Sequence, residues 1–330
     1  MGQHGSSTPH IADGASAADL AWSVVLDAAC RAASLADGGT AAAFVIADTL
    51  TPDDLPLVPV PLSDRGASLY WRPASGWDLR LPPDDPRHPH IDLYLPVCSA
   101  TPSRPITVGH LGQSLDGFIA THSGDSQFVT GHENIRHLHR MRALSDAIVV
   151  GAGTVAADDP QLTTRHVSGP NPLRVVLDPG RRLGEHYKVF SDDAVETIYV
   201  CGRSAILEGE TAVGHATILP VDERDGGIDV TAILPLLRAR GCHRVFVEGG
   251  GVTVSMFLEA GLLDRLQVAV APFIIGDGRP AVRLPAPETL RECQRPSYRV
   301  FRMGGDVFFD CDLNAAVGDD ADTPNVTRII

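Results

Sequence analysis

The sequence has no C-x-x-C pair, and its six cysteines (Cys30, Cys98, Cys201, Cys242, Cys293 and Cys311) are scattered. That spacing excludes a zinc knuckle and a dense disulfide framework. It predicts reduced thiols in a cytoplasmic protein, several of them packed as small hydrophobes. No H-x-E is followed by a P-C-x-x-C, so nothing supports a zinc deaminase. The run from His132 to His137 is not a zinc-protease helix either. Histidines five residues apart diverge by about 140° around a helix, against about 40° for the i, i+4 pair which that chemistry requires. No metal is expected, and His137 and His139 read as surface residues. No basic block offsets the net charge of −14, which argues against a nucleic-acid partner. No apolar run approaches a membrane span, and Met1 to Asp19 lacks the basic segment and apolar core of a secretory leader.

What is present is ordinary in bulk: 330 residues, 44% hydrophobic and 21% charged, enough for one large domain or two modest ones with full cores. The first part, residues 1–104, differs from the rest. Asp19 to Ala36 is alanine-rich and predicts a helix with Trp22, Val25, Leu26 and Ala29 on one face, and Ala41 to Ala47 suits a short strand. From Thr51 to Pro105 the chain carries twelve of its 25 prolines, which argues against long regular elements there. Trp71, Trp77, Ile91, Leu93, Tyr94 and Leu95 nevertheless give this proline-rich extension apolar anchors, so it is expected to lie on a neighbouring surface. It carries no chemical motif.

From Ile106 strands alternate with helices. Strands are predicted at 106–111, 147–150, 173–178, 197–201, 244–247 and 265–271, and a helix from Val252 to Ala260. Thr130-Gly-His-Glu133 has the spacing of a capping box opening a helix with Ile135, Leu138, Met141 and Leu144 on adjoining positions. Two strands around Gly304-Gly305-Asp306 make a hairpin. The fold class is α/β: a mostly parallel central sheet flanked by helices, with a C-terminal antiparallel hairpin. The polar tail, 314–330, is expected to be disordered.

Two strand–glycine–helix junctions stand out. Ala147-Ile-Val-Val-Gly-Ala-Gly153 runs into a helix at Thr154, followed by Asp158, Asp159 and Pro160; Val245-Phe-Val-Glu-Gly-Gly-Gly251 is the second. Backbone N–H groups and the helix dipole favour an anion at such turns. Two of them suggest a phosphorylated cofactor and a phosphorylated substrate. Taken singly, each residue has a duller reading. Gly249 to Gly251 serve either a phosphate cradle or a tight turn. Glu248 either touches a substrate polar group or caps the next helix. Arg142 and Arg165 read as solvated charges, and Asp158 and Asp159 as polar residues ending a short helix. Arg203 and Ser204, after a strand, suit either a cofactor 2′-phosphate or a turn.

Taken in order, the motifs resemble one family. Gly112-Gln-Ser-Leu-Asp-Gly117, Gly124-Asp-Ser-Gln-Phe128, Leu138-His-Arg-Met-Arg-Ala143, Gly151 to Pro160, Leu162-Thr-Thr-Arg165, Asn171 to Asp178, Val247-Glu-Gly-Gly250 and Ala271-Pro-Phe-Ile-Ile-Gly276 recur with the spacing of the reductase half of the bacterial riboflavin-biosynthesis deaminase/reductase. The match runs from about Pro105 to Leu313. The resemblance implies a dihydrofolate-reductase-like fold in residues 105–313. It also implies an NADPH-dependent reduction of a ribosylaminopyrimidine 5′-phosphate to its ribityl form, and a homodimer. It places Ser126, Arg142, Leu162, Arg165 and Glu248 at the substrate. Gly112, Phe128, Thr154, Asp158, Gly250, Gly251, Val252 and Thr253 match its NADP positions. Asp158, or a water it holds, is the candidate proton donor. Two departures are visible: Phe128 replaces a tryptophan, and the proline-rich segment stands where the family has its deaminase, so a stand-alone reductase is expected. Reduction of dihydrofolate or another heterocycle, and a silent NADP-binding protein, are the alternatives.

Overall fold

The computed structural model describes residues 16–47, 55–224 and 227–315. The expected polar tail, from residue 316 on, and residues 1–15 of the segment read for a leader lie outside these. The chain divides between Thr101 and Pro102 into two compact units.

The first unit has a core of its own. Helix Ala17–Asp37 opens on a capping box: the Ser16 hydroxyl accepts the Asp19 N–H, and the Asp19 carboxylate accepts the Ser16 N–H. It buries Trp22, Val25 and Ala29 as the periodicity predicts, with Leu26 half-buried. An antiparallel sheet in the order 57–60, 42–46, 69–72, 76–79 places Trp71 edge-on to Trp77, 5.3 Å between ring centres. The expectation that the proline-rich stretch holds no long element is wrong, because an 11-residue helix, His88–Cys98, runs through it. Its first-turn proline lacks an N–H that no helical carbonyl would have accepted. Pro96 gives up one bond inside the helix, against the burial of Ile91, Leu93, Tyr94, Leu95 and Val97.

The second unit is built on a ten-stranded sheet. Its order is 212–213, 216–221, 197–202, 173–178, 147–151, 244–247, 106–114, 265–271, 306–312, 297–303. Strands from 216–221 through 265–271 run parallel, and the C-terminal hairpin adds its two antiparallel strands beside 265–271. A mostly parallel sheet closing on an antiparallel hairpin is the architecture the sequence implies. Strands buried on both faces need continuous apolar runs, and Ala147–Val150 and Val245–Val247 are fully buried.

Strand Ala216–Val221 escapes sequence reading because Pro220 interrupts it. Its outer neighbour pairs only with Ala216 and Thr217, so no ladder bond asks for the missing N–H. Cys98, Cys201 and Cys242 are buried as small hydrophobes, and burial pushes the Cys201 thiol up to about 12. Among the described residues, no helix is long and apolar enough to cross a membrane.

The sequence also misreads helix His132–Leu144. Its N-cap is Gly131, with no side-chain cap. Side chains further along the same helix have taken both members of the expected capping box. The Thr130 hydroxyl accepts the Asn134 side-chain N–H at 2.8 Å, and Glu133 pairs with Arg140 at 2.8 Å. The Gly131 N–H instead donates to Asp306 at 2.7 Å. His137 and His139 are buried, not superficial. His137 meets Gln267 through Nε2 at 3.0 Å, and His139 Nδ1 accepts the Arg165 N–H at 3.0 Å. Each finds a polar partner inside, which is what burial of an imidazole requires.

Candidate active site

A cleft of about 710 Å³ crosses the carboxyl ends of four neighbouring parallel strands. Leu177 marks strand 173–178, Gly151 strand 147–151, Glu248 the end of 244–247, and His110 with Gly112 strand 106–114. Open parallel sheets bind ligands in that position, because loops there can vary without disturbing the ladder. Opposite the strand ends, Gly124, Ser126, Gln127, Phe128, Arg279 and Arg283 complete the lining.

The two glycine junctions face each other. Helix Ala152–Asp158 starts two residues earlier than its sequence predicts, and helix Gly251–Glu259 starts at the third glycine of its turn. Neither has a side-chain N-cap, so their first-turn amides are left for a ligand. The turns are interlocked: the Thr154 hydroxyl accepts the Gly250 N–H at 2.9 Å. Gly249 has φ +115°, which disfavours a side chain, and an added Cβ would also fall 2.6 Å from the Thr154 hydroxyl. A Cβ on Gly151 would collide with the Thr253 hydroxyl, and one on Gly251 with the Ala281 carbonyl. These glycines therefore do what the turn reading asks, closing backbones together, while the uncapped amides beside them supply the anion site that the cradle reading asks. A dinucleotide pyrophosphate fits this edge of the cleft.

Glu248 is bonded on both carboxylate oxygens by Arg142, at 2.6 Å from Nη2 and 3.0 Å from Nε. Both side chains are nearly sealed, 7% and 12% exposed. Arg142, read singly as a solvated charge, is therefore a buried one, and Glu248 is an acceptor rather than a helix cap. Arg165 stands near enough that burial and the Arg142 charge lower its pKa, with Glu248 acting against them. Its guanidinium bonds the Thr163 hydroxyl at 2.7 Å, and its backbone rests on His139. Burial and the positive charges of Arg142, His166 and Arg165 bring His139 down to about 3, so it stays neutral. Leu162 is buried at φ +55° in the same loop.

Asp158, at the last position of its helix, faces the cleft with no hydrogen-bond partner among the described residues. Partial burial and the Glu248 charge hold its carboxyl above the usual range. A carboxylate is also disfavoured at a helix C-terminus. Asp159 has left for another task, accepting the Lys188 N–H at 2.8 Å.

The cleft thus gathers Gly112, Ser126, Phe128, Thr154, Asp158, Glu248 and Gly250 to Thr253 from the sequence-derived set. Arg142, Leu162 and Arg165 stand outside its lining; Arg142 reaches it through Glu248. Arg203 and Ser204 are also outside, one paired with Asp222 at 3.1 Å and the other donating to Glu223 at 2.6 Å. Sequence reading missed His110, Asn134, Arg182, Arg279 and Arg283, all in the lining. Arg182 had a usable signal, since it follows the same kind of strand end as the glycine turns.

An α/β crevice at strand carboxyl ends, with two uncapped helix starts and a buried Arg–Glu pair beside them, is a place where such sheets receive an anionic ligand. The chain belongs to the RibD C-terminal domain family, whose model matches residues 106–301. It is 36% identical over 181 residues to the 2,5-diamino-6-ribosylamino-4(3H)-pyrimidinone 5′-phosphate reductase of Methanothermobacter thermautotrophicus, covering 54% of this chain and 82% of that one. Riboflavin biosynthesis protein RibD of Escherichia coli is 31% identical over 212 residues, covering 60% of this chain and 57% of that one. The solved deaminase/5-amino-6-(5-phosphoribosylamino)uracil reductase of Thermotoga maritima superposes with a TM-score of 0.52 at 28% identity, over 68% of this chain and 59% of that one. The chain spans about three fifths of the length of these last two relatives.

Proposed function

We propose that the chain is an NADPH-dependent reductase that converts the ribosylamino side chain of a 5-phosphoribosylaminopyrimidine to its ribityl form. The observation that carries this reading is the single cleft, in which the uncapped glycine turns lie beside Glu248, a carboxylate locked from outside the lining by Arg142. The names of the archaeal and bacterial relatives point to the same substrate class.

NADPH would be held by the amides of Gly251, Val252 and Thr253 and by Thr154, and it would supply hydride to C1′ of the sugar. The rest falls to the chain's own groups. Arg165, with Ser126 and the Arg142 charge, draws the 5′-phosphate. Glu248, locked by Arg142, offers its carboxylate to the heterocycle or sugar. Asp158, whose carboxyl is held above its usual range by burial and the Glu248 charge, delivers a proton to the opened sugar. The lining walls fix the two carbons in line and exclude water.

The test is loss of NADPH absorbance with the phosphoribosylaminopyrimidine, compared with its dephosphorylated riboside and with dihydrofolate, before and after Arg165→Ala. Turnover confined to the phosphorylated compound, with kcat/KM falling on the order of ten- to a hundredfold in the variant, is expected from a charge-assisted bond. Turnover of dihydrofolate instead would overturn the reading, as would binding of NADPH with no turnover at all.

The cofactor's 2′-phosphate has a better partner than Arg203. Arg182 lines the cleft beside Leu177 and Pro179, with Nε on Asp178 at 3.1 Å and a side chain 70% exposed. Arg203 and Ser204 already face two carboxylates. Arg182→Ala should raise KM for NADPH roughly tenfold while leaving KM for NADH within twofold. Equal changes for both cofactors would count against a 2′-phosphate contact.

A further inference from the structure

His110 sits at the far end of the cleft from Arg182, on strand Ile106–Ser114, and nothing in the mechanism above uses it. Its ring is almost wholly buried, walled by Phe246, Phe308 and the ring of His137, with centroids 6.2, 6.2 and 5.4 Å away. Its one hydrogen bond among the described residues joins Nε2 to the Asn134 Oδ1 at 3.0 Å. The role of each atom in that bond is set one step further out. Asn134 Nδ2 donates to the Thr130 hydroxyl at 2.8 Å, so Oδ1 is left as the acceptor, and the imidazole proton belongs on Nε2. Nδ1 then carries a lone pair and no proton.

Burial brings the ring down to about 4, and the Arg142 charge assists, with Glu248 and the Asn134 bond opposing. The group is therefore neutral at physiological pH and keeps one tautomer. His110 lines the cleft, and with no protein hydrogen bond at Nδ1 among the described residues this acceptor is open to a donor on a ligand. The charges that reach His110 are those of Glu248 and Arg142, both assigned to the substrate in the reading above.

We propose that His110 determines substrate specificity by accepting, through Nδ1, a hydrogen bond from an N–H group of the substrate's heterocycle. This rests on the reductase reading above. Together with the Glu248 carboxylate it makes an acceptor-lined floor, which selects rings bearing amino or ring N–H donors. Rings that present oxygen or unprotonated nitrogen there would face lone pair against lone pair. The Thr130–Asn134–His110 chain positions the acceptor: Asn134 holds the ring's proton on Nε2 and leaves Nδ1 bare.

The experiment compares His110→Phe, which keeps a flat ring of similar size but has no acceptor, with His110→Gln, which restores a side-chain acceptor. KM for the phosphoribosylaminopyrimidine should rise roughly tenfold in the Phe variant, kcat should change far less, and the Gln variant should recover most of the loss. NADPH affinity, read by its fluorescence, should stay within twofold in both. In the wild-type protein with ¹⁵N-labelled histidine, addition of the substrate should shift the Nδ1 resonance of His110 and leave the Nε2 resonance nearly unmoved. An unchanged KM in the Phe variant would overturn the assignment, as would a parallel fall in NADPH affinity or an unmoved Nδ1 resonance. If the wild-type chain turns over no phosphoribosylaminopyrimidine, the reductase reading itself has failed, and that outcome is distinct from a working enzyme indifferent to His110.

Discussion

Glu248→Ala is expected to destabilise the fold by about 3–5 kcal/mol and to remove measurable turnover. The wild-type pair is bidentate and nearly sealed. Truncating the carboxylate leaves the Arg142 guanidinium buried, with only a 3.4 Å contact to the Thr163 carbonyl. Two measurements separate the stability effect from the chemical one. Urea unfolding of Glu248→Ala gives the first. The double variant Glu248→Ala with Arg142→Met then removes the stranded charge and should recover most of the stability while turnover stays absent. If the single variant unfolds within about 1 kcal/mol of wild type, the pair is not the sealed element described here.

Asp158→Asn should lower kcat by at least about a hundredfold, the usual scale of a general acid, well beyond its effect on NADPH affinity. In the wild type kcat should fall as pH rises through the elevated Asp158 pKa, and that limb should vanish in the variant. Wild-type stability should fall with rising pH over the same range. A carboxyl whose folded pKa is raised stabilises the fold fully below its unfolded value, 3.8, and loses that contribution as pH climbs through the folded value. Asparagine loses nothing on that climb. The variant should therefore melt higher than wild type at neutral pH, and the gap should close below the ordinary carboxylate range. A lower melting temperature at neutral pH, or an unchanged kcat, would remove Asp158 from this role.

Much of the reductase unit was legible because its strands are buried on both faces. Runs such as Ala147-Ile-Val-Val150 and Leu173 to Asp178 announce themselves, and the glycines after them mark where the backbone must turn. What escaped had one cause in two forms. Pro220 and the prolines of helix His88–Cys98 were read as breakers, yet they fall where a missing N–H has no partner to disappoint, or where burial outweighs it. His137 and His139 were read as solvent-facing because they are polar, yet each is paired inside. Their helix has two working faces. Ile135 and Leu138, taken for core, line the cleft, while His137 and Met141 pack inward. Periodicity finds a face but does not say whether its neighbour is a sheet or a ligand. The site residues that the motifs supplied are mostly backbone turns and charges at strand ends. His110 carries no such signal, since a histidine within a strand reads the same whether it is filler or contact.

The cross-bracing of Thr154 on Gly250, and of Thr253 against Gly151, ties two strand ends into one rigid jaw. Neither end can withdraw without dragging the other, so this jaw offers a fixed gauge to anything it grips. The segment Arg279–Arg283 is itself held, by pairing with residues 118–120 and by the Arg283 N–H on the Ser255 hydroxyl at 2.8 Å, so adaptation to a differently shaped guest falls to the loop around Gly124–Thr130. Within this fold, changes of preferred ring would accumulate there and around His110, leaving the dinucleotide grip untouched.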